Sequence, residues 1–452
     1  MKGFGCGVRG LLSRLAAGAV VACLAAAGAS AQSTGAASPE PIETLSDAWR
    51  LALAHDQSLA AASAQTEGAR ASERAARGAR WPTLEAGAGY TRLDASPALD
   101  VATSGGQLFH SAPLFQNDQF VSGSVQLKLP LYAGGQISAG IQAAHAAATA
   151  AGADERTTLA QLKLEVAHSY VAVLRARRAL AAAQSSATSL AAHARDVQQM
   201  YDRELVAKSD LLAARVALAN AEQARQRASN AVKLAEAAYN RRLGEPLERT
   251  PALDEHLPVD AGLAELEFSA LLSRALSSRS ELNGQQARAD SLRASSRAEL
   301  GNALPRVGLT GAYTHLDNQF LDRQNISSVG IGFTWSVFDG GQARNRAAAL
   351  ASEGRAAERR LEDLRSVIEL QVRQAWLDVQ DARARVHSSE AVIAQAQENL
   401  RATRELYGAG MGTNTQVLEA VSLQVDAVSN RDNALLDESL SELELARAVG
   451  SL

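Results

Sequence analysis

The sequence predicts an α+β membrane protein, in which each chain supplies four membrane-spanning strands and several very long helices. Three observations support this prediction. The composition is 46% apolar but only 4% aromatic, which is typical of long packed helices. Four short segments alternate apolar with polar residues, as strands do. The two halves of the chain can be laid over each other, which indicates an internal two-fold repeat.

The N-terminus has the pattern of a secretory signal. Three basic residues precede an apolar run over 15–27, and Ala29-Ser30-Ala31 then provides a cleavage site. The sequence therefore predicts a signal peptide at 1–31 and export of the mature chain. Val21-Ala22-Cys23 supports a second interpretation, a lipoprotein site that leaves a lipidated Cys23. Either cleavage leaves a chain without a disulfide, because Cys6 and Cys23 are its two cysteines.

The internal repeat sets the domain organisation. Residues 45–59 overlie 268–282 at an offset of 223, and Tyr201 overlies Tyr407 at an offset of 206. The offset changes between Leu93 and Gln119, so the first half has the longer loop at that place. We predict a first structural repeat at 45–244, a linker at 245–267 and a second repeat at 268–450. Each of the two repeats begins with a helix.

Each repeat contains two predicted strands. The strands are 83–93 and 119–129 in the first repeat, and 306–316 and 326–337 in the second. Each has about 10 to 12 residues, the length that a tilted strand needs to cross a bilayer. The longer loop, 94–118, is then expected outside the cell.

The long helices follow from the positions of proline. No proline lies between Pro130 and Pro246, and none follows Pro305. The predicted helices are 136–201, 209–243, 342–407 and 415–449. The first spans about 100 Å at 1.5 Å per residue. Apolar positions keep coiled-coil spacing and match between the repeats, as in Leu162 with Ile368 and Val166 with Val372.

The number of strands predicts the oligomeric state. Four strands leave two open edges, whose backbone groups have no hydrogen-bond partners. Each such group costs roughly several kcal/mol in hydrocarbon. Two chains would give eight strands with a filled interior, whereas three give a 12-stranded transmembrane barrel with an aqueous lumen. We therefore expect a homotrimer in contact with membrane lipid. The helices, polar on one face, would continue the barrel as a coiled-coil tunnel into an aqueous compartment.

Charge and motifs argue against other functional classes. The formal net charge is -4 with both signs interspersed, so a nucleic-acid partner is not expected. The 8 histidines show no metal-ligand or catalytic-triad spacing, and no phosphate-binding loop follows a strand. We expect neither an enzyme nor a cofactor or metal site.

The segment YGAGMGTNTQVLEA, from Tyr407 to Ala420, together with the duplicated strand pairs and long helices, resembles the TolC outer-membrane efflux family. The resemblance covers residues 45–450. It implies a trimeric channel in the outer membrane with a long periplasmic extension. It also implies docking on a periplasmic adaptor (a membrane fusion protein) and an inner-membrane transporter. The main alternative is a periplasmic coiled-coil adaptor or scaffold protein, which would be water-soluble.

The predicted periplasmic tip is the turn after residue 407. Gly408, Gly410 and Gly412 permit the reversal, and Thr413 or Thr415 is a candidate N-cap for the returning helix.

The resemblance implies a gate at this tip. The family's acidic ring positions correspond to Gln416 and Glu419, so one carboxylate of the family is an amide here. Its tip tyrosine and aspartate correspond to Tyr407 and Asp210, while Gly412 occupies the family's arginine position and Glu204 replaces a glycine. We therefore expect the gate to use different contacts, with Arg203 or Arg404 as candidates.

Overall fold

The computed structural model describes residues 42–95, 98–103, 106–113, 119–258, 261–317 and 323–452. The predicted signal peptide 1–31 and the alternative lipidation site Cys23 lie outside the described residues. Within those ranges, no helix combines the length and the apolar character that a transmembrane helix requires.

Helices dominate the chain, and each half also contributes strands to one sheet. The elements of the first half are α1 Leu45–His55, α2 Gln57–Gly78, β1 Thr83–Arg92, β2 Ala98–Thr103, β3 Gly106–Pro113, β4 Gln119–Ala133, α3 Gln136–Asp202 and α4 Lys208–Leu243. Those of the second half are α5 Ala261–Ala264, α6 Phe268–Ser278, α7 Ser280–Gly301, β5 Arg306–Leu316, β6 Asn325–Thr334, α8 Gln342–Gly408 and α9 Asn414–Val449. The predicted α+β class is confirmed.

The helix that opens each predicted repeat is in fact two helices. The break between α1 and α2 falls at Asp56, whose carboxylate accepts a hydrogen bond from the Leu59 amide at 2.8 Å and caps α2. The second break falls at Arg279, which is buried and donates to the carbonyl of Ala448 at 3.0 Å. Arg279 also pairs with Glu281. Each break thus occurs at a charged residue with side-chain partners, and not at a glycine or proline.

Four strands form an antiparallel sheet in the order β1-β4-β5-β6. β4 runs past the predicted end at 129 to Ala133, with a register irregularity between Pro130 and Tyr132, because proline cannot donate to the ladder. β6 stops at Thr334 instead of 337. The Trp335 indole donates to the Ala303 carbonyl at 3.2 Å, which ties the chain to the end of α7.

The predicted loop 94–118 contains a hairpin. β2 pairs with β3 in an antiparallel ladder that runs from Ala98 opposite Pro113 to Thr103 opposite Gly106. The loop that connects β1 to β4 is therefore longer than its counterpart in the second half because it carries this extra hairpin. The linker 245–267 is also partly ordered: it contains α5 and a parallel bridge between Leu253 and Glu43.

Long helices pack in hairpins, α3 with α4 and α8 with α9, and the short helices α1 and α6 cover their central part. The predicted matched core positions are confirmed: Leu162, Val166, Ile368 and Val372 are all buried. Tyr170 is fully buried, whereas its counterpart Trp376 is partly buried against Phe268.

A buried polar network joins the start of the described chain to the linker. Glu43 is 5% exposed and accepts from the Tyr239 hydroxyl at 2.5 Å and from Arg249 at 2.7 Å. The Tyr170 hydroxyl lies 2.9 Å from the Glu43 carbonyl and 2.7 Å from that of Asp254. Burial, and next the bond to Glu43, raise the pKa of Tyr239, so its hydroxyl stays protonated and donates.

Candidate functional site

The candidate site lies where the two helical hairpins reverse direction. The first reversal, 203–207, joins α3 to α4, and the second, 409–413, joins α8 to α9. Residues beside the first turn, such as Val197 and Leu211, pack in one apolar cluster with Tyr407 and Val417 beside the second. The two turns therefore lie at the same end of the hairpins.

Both long helices end in the same hydrogen-bonded motif. At the end of α8, Met411 donates to the Leu406 carbonyl at 2.9 Å, and Gly410 donates to the Tyr407 carbonyl at 3.0 Å. At the end of α3, Leu205 and Glu204 make the equivalent bonds to the carbonyls of Met200 and Tyr201, at 2.9 and 2.8 Å. This Schellman arrangement places one residue in the left-handed region.

That left-handed residue is Gly410 in one turn and Glu204 in the other. Their φ angles are 74° and 60°, and Glu204 is the one non-glycine residue with positive φ in the part of the chain that the structure describes. A side chain in this conformation costs about 1–2 kcal/mol. The first tip turn is therefore strained where the second is not.

Glu204→Gly is expected to stabilise the first tip turn. The relieved backbone strain exceeds the roughly 0.5–1 kcal/mol of extra unfolded-state entropy that glycine brings, and leaves a gain of about 0.5–1 kcal/mol. Amide hydrogen exchange at Leu205 should slow by about two- to fivefold. The matched control is Gly410→Glu, which should accelerate exchange at Met411, since an added Cβ there meets no atom within 4 Å and only the backbone cost remains. Unchanged exchange at Leu205 would contradict the prediction.

Gly412 is required for a close backbone approach. Its amide donates to the Leu406 carbonyl at 3.1 Å, and a Cβ added at Gly412 would lie 3.0 Å from the Tyr407 nitrogen. Few Cβ atoms are tolerated at that distance. In this chain the position that corresponds to the family's arginine therefore lies directly against the last turn of α8.

Thr413 is the N-cap of α9, and Gln416 completes a capping box. The Gln416 amide donates to the Thr413 hydroxyl at 3.3 Å, and the Gln416 side-chain oxygen accepts from the Thr413 amide at 2.8 Å. Thr415, the alternative candidate cap, is exposed. The Gln416 side chain thus caps the start of α9. Glu419, one turn further on, is exposed.

Tyr407 and Asp210 come close without a side-chain hydrogen bond between them. Tyr407 is 8% exposed, and its hydroxyl has no hydrogen-bond partner among the described residues. Burial raises the pKa of Tyr407, and the nearby charge of Asp210 raises it further. Tyr407 and Asp210, the two tip positions that the resemblance implies, therefore influence each other electrostatically in this structure.

The two candidate arginines have different surroundings. Arg404 donates to the Ser189 hydroxyl of α3, and thereby crosses from α8 to the first half of the chain. Arg203 is exposed and lines a cleft of about 400 Å³ between α3 and α8, together with Asp196, Arg404 and Tyr407. Among the described residues, neither arginine forms a salt bridge with Asp210.

Sequence reasoning missed two buried polar residues at the tip, His193 and Asn414. They are 5% and 3% exposed, and His193 Nε2 lies 2.7 Å from Asn414 Oδ1. The His193 ring also packs against Tyr407 with centroids 5.4 Å apart. The only available signal was an asparagine beside the helix cap, since His193 lies 221 residues away along the chain.

No group of three or more metal-binding side chains was found among the described residues.

Comparison with known proteins assigns the fold to a family. The profile of the family described as "Outer membrane efflux protein" matches residues 48–245 and 271–451. The chain belongs to the outer membrane efflux protein family. The two matched segments fall on the two halves of the chain, and the predicted relationship to TolC is confirmed.

Known outer-membrane proteins are similar to this efflux protein in sequence and in structure. Outer membrane protein TolC of Vibrio cholerae is 23% identical over 419 residues, which cover 91% of each chain. The structure resembles that of the outer membrane protein VceC of Vibrio cholerae, with a TM-score of 0.76 at 17% identity, over 90% of this chain and 96% of VceC. It also resembles the open state of the MtrE channel of Neisseria gonorrhoeae, with a TM-score of 0.70 at 17% identity, over 90% and 88% of the two chains. This efflux protein is an outer-membrane protein.

Proposed function

We propose that this efflux protein is one protomer of a trimeric export channel, gated at its helical tip. Three chains would close a 12-stranded barrel in the outer membrane, and their long helices would form a tunnel through the periplasm. Cargo would enter at the tip from a periplasmic adaptor and an inner-membrane transporter, and leave at the strand end.

The observation that carries this proposal is the exposure of the outer strands of the four-stranded sheet, since nearly all of β1 and all of β6 are exposed among the described residues. Every residue of β6 is exposed, including Val329 at 82% and Ile331 at 74%. Apolar side chains so exposed are stable in lipid and unfavourable in water. β1 and β6 are the outer strands of this sheet, so a membrane-inserted form requires neighbouring chains to pair with them.

The helices show a second sign of neighbouring chains. Large aliphatic residues stay exposed along α4 and α8 of the single chain, among them Leu212, Val216, Leu370 and Leu377. Packing of these faces between protomers would bury them. An aqueous tunnel bounded by three pairs of hairpins would result.

The test is a measurement of size and conductance. Purified protein should be a detergent-dependent trimer by light scattering, and should conduct ions in planar bilayers. A water-soluble, non-conducting monomer would instead support a periplasmic adaptor or scaffold.

Glu419→Gln is expected to reduce the cation preference of the channel. One carboxylate per protomer would form a ring of three at the tip, and such a ring attracts cations. The measurement is the reversal potential in a salt gradient across a planar bilayer. Glu222→Gln makes the same charge change at an exposed position on α4 and should leave the reversal potential unchanged. Equal selectivity in wild type and Glu419→Gln would remove Glu419 from the constriction.

A further inference from the structure

Two linked hydrogen bonds, one buried and one partly buried, connect the two hairpins at the tip. Asn414 Nδ2 donates to the backbone carbonyl of Asp210 at 3.2 Å. Because that carbonyl can only accept, the amide nitrogen of Asn414 faces it, and the amide oxygen faces His193. His193 Nε2 therefore carries a proton and donates to Asn414 Oδ1 at 2.7 Å.

This chain joins three helices with one side chain. His193 lies on α3, Asp210 in the first turn of α4, and Asn414 begins α9. Asn414 is thus held by the first hairpin although it belongs to the second. Separation of the α8–α9 hairpin from the α3–α4 hairpin at this level breaks both hydrogen bonds together.

The surroundings make these bonds costly to lose. They lie beside an apolar cluster, which His193 contacts through the Tyr407 ring and which is formed by Ala194, Val197, Leu211, Ala214, Tyr407 and Val417. A donor or acceptor left without a partner beside such a cluster loses its hydrogen bond and is not solvated by water. The unpartnered hydroxyl of Tyr407, in the same cluster, adds no bond across the interface.

We propose that His193 and Asn414, with the carbonyl of Asp210, form the latch that holds the tip of this channel closed. This inference rests on the proposed function, a channel gated at the tip. His193 and Asn414 are buried, and the latch works without the arginine that Gly412 replaces. Its residues position the hairpins and do not contact cargo.

The experiment separates the hydrogen bond from the packing. His193→Phe keeps a ring against Tyr407 but removes the donor, and Asn414→Leu removes both bonds. Each should raise the open probability of single channels in planar bilayers by about 5- to 30-fold. His193→Gln keeps an N–H donor where Nε2 stands and should restore behaviour close to wild type. His387→Phe, the same change at an exposed position on α8, is the matched control.

The outcomes are distinct. Folding is checked first by helical circular dichroism and trimer mass in detergent. Wild-type open probability in folded His193→Phe and Asn414→Leu overturns the latch, and so does equal opening by His193→Phe and His193→Gln, since packing would then explain the effect. A wild-type protein that does not conduct overturns the proposed function itself.

Discussion

Val329→Arg is expected to abolish membrane insertion of the sheet, while Ser328→Arg on the neighbouring residue is tolerated. Val329 is 82% exposed and lies at the middle of β6, opposite Gly311 of β5. Its side chain shares a face with Ile331 and Phe333, the apolar face of the strand. Arginine on the lipid face at the bilayer midplane costs about 2–4 kcal/mol per chain, and a trimer carries three copies.

The Ser328→Arg protein is the control, because it carries the same arginine one residue away on the opposite face of the strand. Ser328 pairs with Ala312 and points to the opposite face, with Gly330 and Thr334. Flotation of refolded protein with phosphatidylcholine vesicles measures insertion, and light scattering measures trimer formation. If the Val329→Arg protein floats as efficiently as the Ser328→Arg protein, the apolar face does not contact lipid.

Glu43→Ala is expected to destabilise the helical part of the protein by about 3–5 kcal/mol. The buried carboxylate faces both the Arg249 guanidinium, at 2.7 Å, and the Tyr239 hydroxyl, at 2.5 Å. Its removal leaves the Tyr239 hydroxyl buried without this acceptor and Arg249 without this counter-charge, and such losses dominate the cost of a broken buried pair. The urea midpoint of detergent-solubilised protein should fall.

Two further variants define the origin of the effect. Glu248→Ala removes an exposed carboxylate next to Arg249 and should change the free energy of unfolding by less than about 0.5 kcal/mol. Tyr239→Phe removes one hydrogen bond without exposing a charge and should cost about 1 kcal/mol. A Glu43→Ala midpoint equal to that of Glu248→Ala would contradict a structural role for the network.

The second tip turn shows which local hydrogen bonds two of the predicted tip residues make. Thr413 caps the returning helix, one of the two threonines that the sequence predicted. Gln416, transferred as a ring position, binds the backbone of its own helix end. A position in an alignment gives the place of a side chain along the helix, but the partner depends on the local hydrogen bonds.

The sequence by itself determined the features that repeat with a short period. The absence of proline and the coiled-coil spacing placed the helix that runs from Gln136 within one residue of its end at Asp202. Strict alternation placed β5 at Arg306–Leu316. These signals are local, because each residue of a helix or strand is set mainly by its neighbours within a few positions.

Only the tertiary structure decided the contacts between distant segments. Glu43 meets Arg249 across 206 residues, and His193 meets Asn414 across 221. No periodicity marks such pairs, because each residue is a single polar position whose burial depends on how the hairpins pack. A buried polar group must find a partner, and the fold, rather than the adjacent sequence, determines which partner is within reach.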